Sequence, residues 1–331
     1  MTSDLERPAT LRDRGRRRFM TSLAAAGMTA AARPAFADPA LSAVDFDHVT
    51  VVCSDLKRSI DFYRRILRVG VETAADGRSA NLWLGAGAQR MSLVQATDPL
   101  KVGLYSFCLR VRELNRPSAA KLIEAAGGRA VRQGDRAGRA LFTFTDRDGV
   151  RGQLVEAAAV RPAPATVSVG EGAAAIEPLK INHVTLNVAD AVKAADFYKQ
   201  CFGMWVQSAQ GESTAVLGLG AKTGPEFPAV AVSRYGQPQI NHVCFGMRAF
   251  DVARVMTVLH QAGVTSVEKV FPTEALTATI RWRHGETNGG GPDAPLGTPE
   301  LYFTDPDRVV LQLQDISYCG GSGPLGSVCK F

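Results

Sequence analysis

The chain has 331 residues, six cysteines and a formal net charge of +6, and 46% of its residues are hydrophobic. Residues 1–37 hold seven of the 38 basic and three of the 32 acidic residues, so the rest of the chain carries 31 against 29, a net charge of only +2. This near-neutral balance excludes the broad basic surface that nucleic-acid binding requires, and the absence of a CxxC pair argues against a thiolate zinc site.

The N-terminal residues 1–37 predict a twin-arginine signal peptide. Arg16 and Arg17 begin the pattern, an apolar stretch follows at 23–32, and the small-residue sequence Ala-Phe-Ala ends at Ala37. We therefore expect cleavage after Ala37 and export by the twin-arginine machinery, into the periplasm or out of the cell. The apolar stretch is shorter than the ~20 residues that span a bilayer, so we expect no membrane span in the mature protein.

An internal repeat organises the remaining chain. The segment 46–67 recurs at 181–202 with a constant offset, which matches His48 with His183 and Tyr63 with Tyr198. In each copy, alternating polar and apolar residues predict a strand, and a helical pattern follows. Ser54 is the expected N-cap of the first helix.

A second kind of unit follows each copy of the repeat. These units begin with strand-like segments at 105–111 and 241–247, continue with helical runs that end in glycine, and close with a strand after an Asp-rich turn. The pattern predicts an α+β fold of four βαβββ modules in two pairs. Its parts are a first domain at 44–157, a Pro/Ala/Gly-rich linker at 158–180, a second domain at 181–316 and a Gly-rich tail at 317–331.

Two further features of the second half are the Gly/Pro-rich stretch at 284–297, whose role the sequence leaves open, and a pair of cysteines in the tail. The Gly/Pro-rich stretch at 284–297 is equally compatible with a mobile lid and with a neutral insertion. In the tail, Cys319 and Cys329 are able to close a disulfide in an oxidising compartment, whereas Cys53, Cys108 and Cys244 lie in apolar strand-like runs and are interpreted as small core residues.

Three motifs resemble the vicinal oxygen chelate superfamily of glyoxalases, bleomycin-resistance proteins and extradiol dioxygenases. They are the HVT start of a strand, the DFY sequence on the next helix and the TDPD turn before the last strand. The resemblance implies that each pair of modules forms a cup-shaped domain. Four modules in one chain look most like the two-domain extradiol dioxygenases, whose second domain holds Fe(II).

Carried onto this sequence, the resemblance implies a divalent metal on His183, His242 and Gln312, with Tyr302 as a catalytic or substrate-binding residue. Fe(II) is the expected ion, and Mn(II) or Zn(II) suits the same donors. The pattern departs from the family in two places. Gln312 stands where a carboxylate is usual, and the histidine expected upstream of the last strands is absent from 291–300.

The corresponding positions of the first domain are His48, Ser106 and Gln153, which make a poor donor set and predict a domain without metal. Two hypotheses follow for the whole protein. The first is a periplasmic, metal-dependent enzyme of extradiol type, with a small, catechol-like substrate; an isomerase or lyase step suits the same chelate. The second is an exported binding protein that sequesters a small molecule without turnover. A homo-oligomer is compatible with the sequence, which leaves the oligomeric state open.

Overall fold

The computed structural model describes residues 41–85, 87–97, 102–131, 141–159, 162–164, 176–210, 213–221, 228–269, 271–283, 298–316 and 318. The predicted signal peptide, the stretch at 284–297, Cys319 and Cys329 lie outside the described residues. Within them, the predicted α+β fold of paired βαβββ modules is confirmed, with one mixed sheet in each domain.

The first domain consists of an eight-stranded sheet and two helices. Its elements are β1 (Ala43–Cys53), α1 (Leu56–Ile66), β2 (Gly70–Thr73), β3 (Ser79–Trp83), β4 (Arg90–Gln95), β5 (Gly103–Val111), α2 (Arg116–Ala125), β6 (Arg129–Val131), β7 (Phe142–Thr145) and β8 (Arg151–Glu156). The strand order is β2-β3-β4-β1-β5-β8-β7-β6. β1 and β5 lie antiparallel at the centre, and each has the last strand of its own module parallel beside it.

The second domain repeats this arrangement with nine strands. Its elements are β9 (Lys180–Asn187), α3 (Ala191–Phe202), β10 (Trp205–Gln210), β11 (Thr214–Gly218), β12 (Ala229–Ser233), β13 (Gln239–Met247), α4 (Val252–Gln261), β14 (Thr265–Ser266), β15 (Thr277–Arg283), β16 (Thr298–Thr304) and β17 (Val310–Asp315). The order is β10-β11-β12-β9-β13-β17-β16-β15-β14, with β9 and β13 antiparallel at the centre.

Local sequence signals explain where the helices begin. Asp55 caps α1 by accepting a hydrogen bond from the backbone N–H of Arg58, and its counterpart Asp190 caps α3 in the same way. The prediction that Ser54 caps the first helix is therefore wrong. Ser54 lies one residue too early, and its hydroxyl instead donates to Asp307 of the second domain, at 2.6 Å.

The two domains share one apolar core. Phe144 on β7 of the first domain packs against Phe197 and Phe202 on α3 of the second, with ring centroids 6.4 and 5.1 Å apart. Tyr63 on α1 reaches across to Asp305, in the turn before β17. The helix that follows the first strand of each domain therefore packs against the other domain, which couples the positions of the two sheets.

The predicted linker is partly built into this core. Ile176 is fully buried and pairs with Leu67, just after α1, while the backbone N–H of Leu179 donates to the carbonyl of Gly246 on β13. The last residues of the predicted linker thus lead directly into β9. Among the described residues, no helix combines the length and apolar composition that crossing a membrane requires.

Candidate metal centre and substrate pocket

The sheet register of the second domain brings the predicted site residues together. His183 on β9 pairs with Cys244 on β13, Cys244 pairs with Gln312 on β17, and Gln312 pairs with Tyr302 on β16. His242 pairs with Thr185, two residues further along β9 than His183. Because side chains two residues apart on a strand share a face, both histidines project to the same side of the sheet.

Asn182 determines which nitrogen of His183 carries a proton. The Asn182 amide nitrogen donates to the backbone carbonyl of Tyr318, at 3.0 Å, so its oxygen is the atom that faces the imidazole. That oxygen lies 2.8 Å from Nδ1 of His183, which must therefore carry the N–H. In the neutral imidazole, Nε2 is then left with its lone pair, the form in which histidine binds a metal.

The Gln312 amide presents its oxygen to this lone pair. Oε1 of Gln312 lies 3.1 Å from Nε2 of His183, while the amide nitrogen is buried and has no hydrogen-bond partner among the described residues. Two acceptors that face one another repel; either a cation between them or a rotated amide that donates its N–H removes the repulsion. Two donors about 2.1 Å from an ion and at right angles are about 3 Å apart, so this pair fits adjacent ligands of one metal.

His242 supplies a second neutral imidazole to the same region. Its Nδ1 lies 2.6 Å from the amide oxygen of Asn241, and its Nε2 lies 3.1 Å from the Thr185 hydroxyl. Burial, followed by the neighbouring His183, holds the pKa of His242 well below its usual value. The two imidazole centroids are 5.5 Å apart. The residues present therefore fit a divalent ion bound by two histidines and one amide oxygen.

A cavity of about 600 Å³ opens in front of these residues. One wall is aromatic: Phe271 and Tyr302 pack with centroids 4.8 Å apart, and both contact the ring of His242. The facing strands contribute small apolar and neutral polar side chains. They are Val216, Ala229, Ala231, Asn187, Gln207, Thr214 and Ser233. The cavity therefore combines apolar and aromatic surfaces with neutral hydrogen-bonding groups.

Glu300 and Tyr318 are among the pocket residues that were missed from the sequence. Glu300 on β16 is 1% exposed and accepts hydrogen bonds from the hydroxyls of Tyr302, at 3.1 Å, and Tyr318, at 2.6 Å. Tyr318 follows β17, and its ring lies 5.9 Å from that of His183. The sequence pointed only weakly to Glu300 as a pocket residue, because strand alternation places it on the same face as Tyr302. No sequence pattern pointed to Tyr318, because it lies at the start of the Gly-rich tail.

The first domain repeats part of this geometry and changes the rest. Nε2 of His48 lies 3.1 Å from Oε1 of Gln153, as in the second domain, and the Ser106 hydroxyl lies 3.3 Å from the same oxygen. However, the register partner of His48 is Arg90, whereas that of His183 is Ala229. A buried guanidinium thus stands in the first domain where the second has a methyl group.

The Arg90 guanidinium belongs to a buried ionic cluster around Asp47. Asp47 accepts from Arg90 and from Nδ1 of His48, both at 2.8 Å, and Arg110 lies 3.5 Å away. Against the effect of burial, His48 and Arg90 hold the pKa of Asp47 below its usual range. Burial, above all, lowers the pKa of His48, and Arg90 lowers it further.

Asp47, His48 and Cys108 also place one potential metal ligand each within 4.8 Å of one another. Two arginines already neutralise Asp47, so an incoming cation would meet resident positive charge and would have to displace Arg90 or Arg110 from it. The donor set of the second domain has no such competitor among its register partners. The second domain is therefore the better candidate for metal.

Comparisons with known families agree with this fold. Residues 180–313 match the family described as Glyoxalase/Bleomycin resistance protein/Dioxygenase superfamily, and residues 48–155 match the family described as Glyoxalase-like domain. Both domains of this chain belong to that superfamily, also called the vicinal oxygen chelate superfamily. No curated protein is similar enough in sequence to count as a relative.

Solved structures resemble most of the chain, across both of its domains. The Mn(II)-bound glyoxalase from Novosphingobium aromaticivorans is 17% identical, with a TM-score of 0.60, and the match covers 86% of this chain and 92% of that one. Homoprotocatechuate 2,3-dioxygenase from Brevibacterium fuscum, in complex with 3,4-dihydroxyphenylacetate, is 16% identical, with a TM-score of 0.60 and coverage of 84% and 82%. At these identities the likeness shows the two-domain, extradiol dioxygenase-like fold.

Proposed function

We propose that this protein is a metal-dependent enzyme of extradiol dioxygenase type, whose substrate is a small aromatic molecule with two adjacent oxygens. The observation that carries the proposal is that His183, His242 and the amide oxygen of Gln312 lie next to one another in the lining of an aromatic-walled cavity. Fe(II) is the proposed ion, with Mn(II) or Zn(II) as alternatives that suit the same donors.

A divalent ion held by these three residues would act as a Lewis acid toward two adjacent substrate oxygens. The protein's own residues do the rest of the positioning. Phe271 and Tyr302 offer ring faces and edges to a planar substrate, and Ala229 and Ala231 leave room on the facing strands. Tyr302 lies against His242, with ring centroids 5.3 Å apart, and is therefore placed to hydrogen-bond a substrate oxygen.

A similar solved structure supports this substrate class. The Brevibacterium fuscum dioxygenase has been captured with 3,4-dihydroxyphenylacetate, a catechol that carries a carboxylate. In this chain, Arg281 is the lone cation among the described residues that line the cavity, and it is the register partner of Glu300. A substrate carboxylate would need a cation, and the lone cation here is already beside an acidic residue. We therefore propose catechols with neutral substituents, rather than carboxylates, as the first substrates to test.

Metal content and metal titration test the proposal directly. Protein purified without affinity tag or chelator should contain a stoichiometric divalent ion. Titration of the apoprotein with Fe(II), Mn(II) and Zn(II) should show one site, which His183→Ala and His242→Ala abolish and His48→Ala preserves. The Fe(II) form should consume oxygen with catechol and produce the absorbance of a ring-cleaved product. Metal binding by the two second-domain variants at wild-type affinity would show that the proposed centre is wrong.

Two other functions make different predictions for the same experiment. A glyoxalase-type isomerase or lyase is supported by the likeness to the Mn(II)-bound glyoxalase. It would bind metal and turn over an α-hydroxy or α-keto substrate without consuming oxygen. A protein that only sequesters a small molecule would bind an aromatic ligand in the cavity and turn over none. Both alternatives leave the cavity as the binding site.

A further inference from the structure

We propose that the first domain holds a second ligand site, which binds a small organic monocarboxylate through the guanidinium of Arg151. The site lies on the face of the first sheet that carries polar side chains, here called the polar face. This face belongs to a different sheet from the cavity of the second domain, and the proposal does not depend on the metal centre. The register of the strands places on it Thr50, Asn81, Ser92, Ser106, Arg151 and Gln153.

In the second domain, the equivalent face of the sheet lines a cavity. Ala231 and Gln312 hold the register positions of Ser92 and Gln153, and both line the cavity of about 600 Å³. In the first domain, every residue of the polar face except Ser106 is half-buried, so the face keeps contact with solvent. It therefore combines hydrogen-bonding side chains with access for a small molecule.

Arg151 carries a charge on this face that has no counterion among the described residues. Its guanidinium carbon lies 4.7 Å from the centroid of the Tyr105 ring, which is a cation–π contact. None of the ion pairs between described residues includes Arg151. Its Nη1 is buried and has no hydrogen-bond partner among them. A buried charged donor without a partner costs free energy, so an acceptor supplied by a ligand would stabilise it.

A β-bulge positions Tyr105 beside this guanidinium. The pairing of β5 with β1 skips Tyr105, which is the extra residue of the bulge. The pairing of β13 with β9 skips Asn241 in the same way, and there the Asn241 amide oxygen lies 2.6 Å from Nδ1 of His242. The bulged residue thus contacts an imidazole of the proposed metal centre in the second domain and the unpaired guanidinium in the first.

The charges around Arg151 favour a ligand with a single negative charge. The ionic cluster around Asp47 pairs Arg90 and Arg110 with carboxylates of its own. Glu72 lies on β2, five strands away from β8 in the order of the sheet. One guanidinium therefore remains to be matched, and one carboxylate matches it.

A planar monocarboxylate suits the shape of this position as well as its charge. A carboxylate accepts two parallel hydrogen bonds from the planar guanidinium fork. The Tyr105 ring offers an apolar surface to the body of an aromatic ligand, and the Thr50 and Ser92 hydroxyls are neutral groups on neighbouring strands. A phosphate dianion would bring a second negative charge that no described residue of the polar face matches.

Binding of benzoate to the full chain tests the proposal, with benzamide as the uncharged isostere. Isothermal titration calorimetry should show that benzamide binds about tenfold more weakly, because it brings no negative charge. Arg151→Met keeps an apolar side chain against Tyr105 but removes the guanidinium, so it should weaken benzoate about tenfold as well. Arg151→Lys keeps the charge without the planar fork and should give an intermediate affinity. The exposed Arg129→Gln, on β6 of the same sheet, is the matched control and should bind benzoate as wild type does.

Thermal unfolding with and without benzoate separates ligand binding from packing. Benzoate should raise the melting temperature of wild type and of Arg129→Gln, and it should leave that of Arg151→Met unchanged. Arg281 lines the second-domain cavity, so loss of benzoate in Arg281→Gln with retention in Arg151→Met would assign the ligand to that cavity and overturn the proposal. Equal affinities of wild type for benzoate and benzamide, or no binding of benzoate by wild type, would overturn it too.

Discussion

The hydroxyl of Tyr63 donates a hydrogen bond of 2.8 Å to the carboxylate of Asp305, across the boundary between the two domains. The second copy of the repeat returns the contact, since Tyr198 donates to Asp146 at 2.9 Å. Both tyrosines are fully buried. The DFY helix of each domain is therefore bonded to the Asp-containing turn before the last strand of the other domain. This explains why both motifs occur twice in the chain.

These carboxylates should make domain docking depend on pH. Burial, as the main cause, raises the pKa of Asp305 and that of Asp146 to about 6, from an ordinary value of 3.8. A folded-state pKa above the unfolded value gives a stabilising contribution that is complete below pH 3.8 and is lost as pH rises through 6. Above pH 6, the buried charge of Asp305 depends on its donors, which are Tyr63 and two backbone N–H groups.

Tyr63→Phe should accordingly destabilise the protein more at pH 8 than at pH 5. A hydrogen bond to a charged group contributes about 1.5–3 kcal/mol, and a neutral pair contributes about 0.5–1.5 kcal/mol. Urea denaturation at both pH values measures the difference. Tyr198→Phe should behave alike, and the exposed Tyr235→Phe should change stability at neither pH. Equal losses for Tyr63→Phe at pH 5 and pH 8 would contradict the assigned charge of Asp305.

Much of the fold was predictable because the repeat and the strand periodicity are local signals. The strand and helix patterns of 46–67 recur at 181–202, and the structure places both copies at equivalent positions. The residues that distinguish the His183 site from the His48 site were not predictable, because they depend on sheet register. Arg90 lies on a strand without a motif, and only its pairing with His48 reveals that it matches Ala229. Glu300 and Tyr318 converge through tertiary packing alone.

The contrast between Arg90 and Ala229 gives a second prediction. Ala229→Arg should abolish divalent metal binding, because the new guanidinium would lie beside His183 as Arg90 lies beside His48. Asp47, the partner of Arg90, is replaced by Asn182 in the second domain, so the single variant should also be destabilised. The double variant Ala229→Arg/Asn182→Asp restores that pair and should recover stability without recovering metal binding.

Zinc titration and thermal unfolding of both variants measure the two effects separately. The matched control is Ala231→Ser, because the first domain has Ser92 at the position of Ala231. This small polar substitution should leave zinc affinity within about twofold of wild type. Retention of zinc by a folded Ala229→Arg/Asn182→Asp variant would show that the guanidinium position does not compete with the metal.

Export through the twin-arginine pathway remains a prediction, since residues 1–37 lie outside the described part of the chain. Replacing both Arg16 and Arg17 with lysine should leave an uncleaved precursor in the cytoplasm, while the wild-type chain should begin after Ala37 in the periplasmic fraction. Fractionation followed by N-terminal sequencing measures both outcomes. Because that pathway carries folded proteins, the metal would be loaded before export. Efficient export of the double-lysine variant would refute this proposal.

The pairing of Cys319 with Cys329 is likewise a prediction about undescribed residues. The described cysteines Cys53, Cys108, Cys201 and Cys244 are buried thiols, which leaves these two as the candidate pair. Closing a loop of this length contributes about 2–3 kcal/mol in the chain-entropy model. Mass spectrometry of the unreduced exported protein, after alkylation, should show four labelled cysteines on unfolding. Six labelled cysteines would exclude the disulfide.

The last prediction concerns the neutral ligand of the proposed metal centre. Gln312→Glu places a carboxylate where the amide oxygen now lies 3.1 Å from Nε2 of His183. A carboxylate offsets one unit of metal charge and completes the usual set of two histidines and one carboxylate, so affinity for divalent ions should rise on the order of tenfold or more. Affinity is the proper readout, because a neutral amide leaves the ion more electrophilic and turnover need not follow binding.

Gln153→Glu is the matched control, because Gln153 makes the same 3.1 Å contact with His48 in the first domain. There the new carboxylate would join a cluster in which Arg90 and Arg110 already stand beside Asp47, so it should bind these cations rather than recruit a metal. Titration of both apo variants with Fe(II), Mn(II) and Zn(II) should therefore show a tighter single site for Gln312→Glu and the wild-type site alone for Gln153→Glu. A second metal equivalent in Gln153→Glu would instead assign metal-binding capacity to the first domain, and unchanged affinity in Gln312→Glu would remove residue 312 from the proposed centre.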